Sequence, residues 1–184
     1  VCEVDPLRAL EAVMQGLEVL PMAQAALIGD IFCTATGDRD VIARAHLEQM
    51  KDGTLLANSG HSNVEIDLAG LRAISVGEAP AREHVEGFRL ADGRRLYLLS
   101  AGRLVNLESG EGQPPGVMDV TGANQALSVE YALQHPGSLE RRVHGVPPQI
   151  DAEIARLKLA SMGFEIDRLS EAQAQYLASW ENGR

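Results

Sequence analysis

Two short apolar runs, Ile31-Phe32-Cys33-Thr34 and Thr54-Leu55-Leu56-Ala57-Asn58, flank a segment with helical spacing. Each run is apolar nearly throughout instead of alternating, as expected of strands covered on both faces. A strand, a helix and a second such strand join in parallel, so this stretch predicts a parallel sheet with helices on both sides. Between them, residues 39–50 place Val41, Ile42, Ala45 and His46 on one helical side.

The same rhythm extends upstream. Val1 to Val4 reads as the end of a strand, and Asp5-Pro6 opens a helix, with Asp as cap and Pro in the first turn. Leu7, Leu10, Val13 and Met14 form its apolar stripe and Gly16 ends it. Residues 17–20 are predicted as a short strand and residues 22–28 as a short helix. A domain seldom begins inside a strand, so the expectation is a longer protein with more of the sheet before Val1.

After Asp67 the pattern changes. Residues 73–76, 84–90 and 95–99 read as strands, the last two joined through Asp92-Gly93, a good hairpin turn. That predicts an antiparallel excursion at the sheet edge. Residues 110–116 are rich in Gly and Pro and mark a boundary, so the chain divides into 1–112 and 113–184. The second part reads as helical. A long helix covers 117–134, and Pro136-Gly137 break it. A stripe of Ile150, Ile154, Leu157 and Ala160 follows, and Ser170 caps a last helix through Leu177.

The core implied is aliphatic, because 45% of the 184 residues are apolar but only 4% aromatic. The net charge of −10 repels phosphate backbones and argues against a nucleic-acid partner. No run approaches the about 20 apolar residues that span a bilayer. Cys2 and Cys33 sit in apolar runs and are expected to be buried thiols in a reducing compartment. No His/Cys/Asp cluster has metal spacing, so no metal is expected.

In open parallel sheets, ligands bind at the carboxyl ends of the strands. The chemistry-bearing residues at those ends are Glu3, the Thr34-Ala35-Thr36-Gly37-Asp38 segment, Asn58-Ser59-Gly60-His61, and Asn106 after Leu104-Val105. An acid at Glu3 suits the ribose hydroxyls of a dinucleotide and repels a 2′-phosphate. A solvated loop acid is the commoner role of such a residue. Arg8, one helical turn away, can accept a 2′-phosphate and works against that preference. His61 can bond a ligand, move a proton or simply pack. Glu65 and Asp67, two apart, are expected on a solvated face.

Six strings, in order, resemble one family, the S-adenosylhomocysteine hydrolases. Cys2-Glu3-Val4-Asp5-Pro6 with Ala9-Leu10 is similar to "TEIDP…AL", and Thr34-Ala35-Thr36-Gly37 to "TTTG". Gln49-Met50-Lys51-Asp52, Asn58-Ser59-Gly60-His61 and Glu65-Ile66-Asp67 resemble "QMKD…NIGH…EID". Gly102-Arg103-Leu104-Val105-Asn106-Leu107 looks the same as "GRLVNL". Val117-Met118 with Asn124-Gln125, and Leu169-Ser170-Glu171 with Gln173 to Leu177, match the remaining two. The resemblance implies an α/β, Rossmann-like doubly wound sheet without its first strand and glycine-rich loop, with an antiparallel edge and a helical extension. It implies a cytoplasmic homo-oligomer whose tightly held NAD oxidises a nucleoside 3′-hydroxyl, so that homocysteine is eliminated and water added. By position, Glu3 meets the adenine ribose. Asp38, Ser59, Gly60, His61 and Asn106 lie along the rest of NAD, His61 and Asn106 nearest the nicotinamide and substrate. No catalytic residue is expected in this chain, because the family's acid/base groups lie in an amino-terminal domain.

There are departures from the family pattern. Arg8 replaces a small or polar residue, Asp38 an Asn, and Ser59 an Ile. The "GHPSF" loop reads Gly112-Gln113-Pro114-Pro115-Gly116, which makes Gln113 a substrate-side candidate. An aromatic is replaced by Gly122, and the chain ends Trp180-Glu181-Asn182-Gly183-Arg184 in place of a basic, Tyr-containing tail. Three functions follow: an adenosylhomocysteinase, a paralogue using NAD on another nucleoside or thioether, or a non-catalytic NAD-binding relative.

Overall fold

The structure is a computed structural model and describes residues 1–179. The closing Trp180 to Arg184 lies outside the described residues. The chain forms two compact units, Val1–Gly112 and one beginning at Gln113.

The first unit holds a five-stranded mixed sheet in the order β1-β2-β5-β4-β3. β1 (Ile31–Thr34), β2 (Leu55–Asn58) and β5 (Arg95–Leu99) run parallel. β4 (Val85–Leu90) and β3 (Ser75–Arg82) complete it antiparallel. The Asp92-Gly93 turn forms as expected. Gly93 takes a φ of +94°, which only glycine adopts freely, and its N–H donates to the Leu90 carbonyl at 3.1 Å. Arg94 then secures the turn. Its guanidinium donates to the Glu48 carbonyl at 2.9 Å and also to the Met50 carbonyl.

The core collects on one face of this sheet. Leu56, Phe88, Leu90, Leu96 and Leu98 from the strands meet Ala26, Leu47 and Leu71 from three helices: α2 (Met22–Ile28), α3 (Arg44–Leu47) and α4 (Leu68–Ile74). Alternation places Arg95, Tyr97 and Leu99 on the opposite face, and none of these is fully buried.

Several local expectations fail for tertiary reasons. Residues 39–50 are not one helix. Only the four residues of α3 are helical, because Ile42 pairs with Ile66 in a parallel bridge. The Ile42 N–H donates to the Glu65 carbonyl at 3.0 Å, and the Asp67 N–H to the Ile42 carbonyl at 2.9 Å. These long-range bonds outbid helical period. The strand predicted at 73–76 starts only at Ser75, since Asp67 caps α4 through Gly70 N–H at 2.7 Å. Residues 1–4 and 17–20 are irregular, joined by a Leu20 N–H to Val1 carbonyl bond of 3.0 Å without becoming strands. Between them, α1 (Pro6–Met14) is capped by Asp5 as predicted, but its stripe is not buried: Leu7, Leu10 and Val13 are all more than half exposed. Both cysteines are exposed as well. Cys33 lies on β1, the edge strand, on the face away from the core.

The second unit contains α6 (Pro115–Gln134), α7 (Pro148–Ser161) and α8 (Glu171–Ala178). α6 and α7 are linked by Asn124–Asp151 at 2.8 Å and Lys158–Asp119 at 2.7 Å. α8 starts with a reciprocal cap, Ser170 Oγ accepting from Gln173 N–H while Gln173 Oε1 accepts from Ser170 N–H. Among the described residues no helix is long and apolar enough to cross a membrane, and no three His, Cys, Asp or Glu side chains cluster to hold a metal.

Candidate functional site

The carboxyl ends of the parallel strands are tied together by two buried polar side chains, Asn58 and Glu65, each fully shielded from solvent. Asn58 ends β2. Its Oδ1 accepts from Thr34 Oγ1 on β1 at 3.2 Å and from Gly60 N–H at 2.6 Å. Its Nδ2 donates to the Ser62 and Gly102 carbonyls at 2.8 and 2.9 Å. Gly102 closes a 3-10 turn, Ser100–Gly102, in which three successive residues take positive φ. One amide therefore holds the ends of all three parallel strands.

Glu65 lies behind the loop that follows β1. Its Oε2 accepts from Thr36 N–H at 3.0 Å and Thr36 Oγ1 at 3.1 Å, and its Oε1 from Gly37 N–H at 2.7 Å. Burial alone pushes a carboxyl up. Here the bonds from Thr36 and Gly37 amides and the Thr36 and Thr34 hydroxyls prevail and hold it below its ordinary value. Glu65 is thus ionised inside the protein, not on the solvated face that its spacing suggested. Asp67 is likewise engaged, as the α4 cap.

A depressed carboxyl adds stability above its ordinary pKa of about 4.5, and that share is lost as pH falls through the lower folded value. A Glu65→Gln variant lacks this share. Urea unfolding at pH 7 and pH 3 is expected to show a large gap between wild type and variant at pH 7 that narrows in acid. A constant gap contradicts it.

The candidate residues separate into groups. Glu3, Thr36, Asp38 and Arg39 line one cavity of about 880 Å³ with Leu20 and Met22. Glu3 is exposed, and its Oε1 accepts from Asp5 N–H at 3.0 Å and Val4 N–H at 2.6 Å, bonds that keep its carboxyl below the ordinary value. Ser59 and His61 are exposed, while Gly60 is buried. Ser59 N–H donates to the Thr34 carbonyl at 2.7 Å, so these residues adjoin the end of β1. A Cβ at Gly60 would fall 1.6 Å from Glu65 Oε1, which reserves the position for glycine. Asn106 lies in α5 (Val105–Glu108). Its Oδ1 is buried with no partner among the described residues, an acceptor left free for a donor from a ligand.

Arg8 does not line that cavity; it pairs with Glu11 on α1 at 3.0 Å. Gln113 belongs to the second unit. Sequence reasoning missed the roles of Asn58 and Glu65. The available signal was an acid set between Val64 and Ile66, which is unusual for a solvated face.

The residues present suit a dinucleotide: a ribose-type acid lining a cavity beside the end of β1, and the buried, unpaired amide oxygen of Asn106. Residues 1–112 match the family model described as S-adenosyl-L-homocysteine hydrolase, NAD binding domain. The adenosylhomocysteinase of Aquifex aeolicus is 53% identical over 183 residues, spanning all of this chain and 44% of that protein. Those of Saccharolobus solfataricus and Thermococcus kodakarensis are each 51% identical with the same coverage. The chain thus spans about 44% of the length of these curated relatives. Such a match over the whole sheet-bearing unit means that the chain belongs to the S-adenosyl-L-homocysteine hydrolase family and carries its NAD-binding domain.

Proposed function

We propose that this chain is the NAD-holding part of an enzyme that reversibly hydrolyses S-adenosyl-L-homocysteine to adenosine and homocysteine. The observation that carries the reading is the cavity beside the end of β1 with Glu3 in its lining, in a chain more than half identical to the Aquifex aeolicus adenosylhomocysteinase along its length; the unpaired Asn106 Oδ1, outside that cavity, supports it. When bound, NAD supplies reversible oxidation of the substrate's 3′-carbon, which acidifies the neighbouring C–H. Glu3 accepts from the ribose hydroxyls. Asp38, Ser59, Gly60 and His61 border the remainder of the cofactor, and Asn106 accepts from a donor on its far end. The Glu11 partner of Arg8 weakens the case for a 2′-phosphate there, so NAD is favoured over NADP.

The groups that act on substrate belong, in this reading, to the part of the protein outside this chain. Residues 113–184 serve as hinge and tail, with Gln113 on the substrate side. The assembled protein is a cytoplasmic homo-oligomer.

Denaturing the full-length protein is expected to release about one NAD per chain, and added S-adenosyl-L-homocysteine to yield homocysteine thiol. No released dinucleotide overturns the proposal. NAD without turnover points instead to a paralogue with another nucleoside or thioether substrate, as the departures at Gln113 and Gly122 suggest. Glu3→Gln removes the charged acceptor. NAD affinity is expected to fall on the order of tenfold, measured by titration of the NAD-free protein, with a smaller loss for NADP. Equal losses for both contradict the ribose assignment.

A further inference from the structure

We infer that Glu65 is a positioning residue for cofactor binding: an internal anion that fills the amide cradle of the Thr36–Gly37 loop and locks that loop against Gly60. The inference rests on the NAD-binding reading above and deepens it.

Successive backbone N–H groups that converge form a nest suited to an anion. The N–H groups of Thr36 and Gly37 converge in this way, helped by the φ of +74° at Gly37. At a strand end facing a dinucleotide crevice, such a nest would suit a ligand phosphate. Here the protein's own carboxylate occupies it, with both oxygens engaged. The Thr36 hydroxyl donates to Glu65 and accepts from Asp38 N–H at 3.1 Å, so the loop's orientation through Asp38 follows from the same anion.

The carboxylate also reaches the second loop. Gly60 sits so close that no Cβ fits between it and Glu65 Oε1, and Gly60 N–H is held by Asn58. Glu65 is therefore packed between the two loops that carry Thr36, Asp38, Ser59 and His61. It touches no ligand itself. Its effect on the cofactor comes through the placing of these loops, and the anionic groups of the cofactor bind away from the Thr36–Gly37 amides.

The test uses the full-length protein, stripped of NAD. Three variants are compared with wild type: Glu65→Gln, Thr36→Val, and Leu71→Ala as a control in the apolar core whose side chain bonds neither loop. Glu65→Gln is expected to raise the NAD concentration for half-reactivation on the order of tenfold or more, with kcat at saturating NAD within about twofold. Thr36→Val removes one bond to the anion, and a shift of several-fold is expected, with folding intact. Leu71→Ala should lower the Tm by a comparable amount without moving the NAD requirement.

Wild type that binds no NAD overturns the proposed function itself. Wild type that binds NAD, with Glu65→Gln within twofold of it, overturns this inference alone. So does a Leu71→Ala shift as large as that of Glu65→Gln, since Glu65 then acts only through overall stability. If Glu65→Gln does not fold, Thr36→Val decides, and an unchanged NAD requirement in it overturns the inference.

Discussion

Asn58→Leu is expected to destabilise the first unit by on the order of 3–5 kcal/mol, although it preserves volume. Leucine fills the space but makes none of the four hydrogen bonds of Asn58. The Gly60 N–H and the Gly102 carbonyl lose partners at a fully buried position, along with the Thr34 hydroxyl. Leaving a buried group unsatisfied costs about 1–3 kcal/mol each, more than the gain from an apolar side chain. Because the Thr34 hydroxyl ends β1, Gly60 follows β2 and Gly102 follows β5, the loss also loosens the strand ends. Urea unfolding of wild type and variant measures the difference. A change below about 1 kcal/mol would mean that water replaces the amide and that the strand ends are not held by it.

Phe88→Ala is expected to cost a similar amount, about 3–5 kcal/mol, by leaving a cavity. Phe88 lies on β4, the middle strand of the antiparallel excursion, and is 1% exposed. It pairs with Leu96 on β5 and belongs to the same cluster as Leu71 of α4 and Leu98. The excursion is thus part of the central core and not an appended ribbon. The neighbouring Arg89 points to the other face and is exposed, so Arg89→Ala should change stability by less than about 0.5 kcal/mol. Equal effects at 88 and 89 would contradict the one-sided core.

Much of this was legible from residue order. The strands at 31–34 and 55–58, the Asp92-Gly93 hairpin, the Asp5 cap and the Ser170 cap all depend on neighbours within a few residues. Short-range patterns report them directly. The six ordered strings gave the family as well, and residues 1–112 match its NAD-binding domain.

Local pattern misleads where a residue's partner lies far along the chain. Ile42 has helical neighbours, yet its backbone pairs with Ile66. Cys33 sits in an apolar run, yet its strand lies at the sheet edge and the side chain is exposed. Arg8 is near Glu3 in sequence, yet its guanidinium is taken by Glu11.

The two acids Glu3 and Glu65 show where the division lies. The α/β sheet, its hairpin, its helix caps and the family follow from local period, turn chemistry and residue strings. Which acid is the buried one depends on long-range packing. Glu65 is bound to residues 29 and 28 positions away, Thr36 and Gly37, and its charge is held by amides that no local pattern brings near it. Glu3, the acid that the sequence singles out, stays at the surface beside the cavity, its carboxylate folded onto its own Val4 and Asp5 amides.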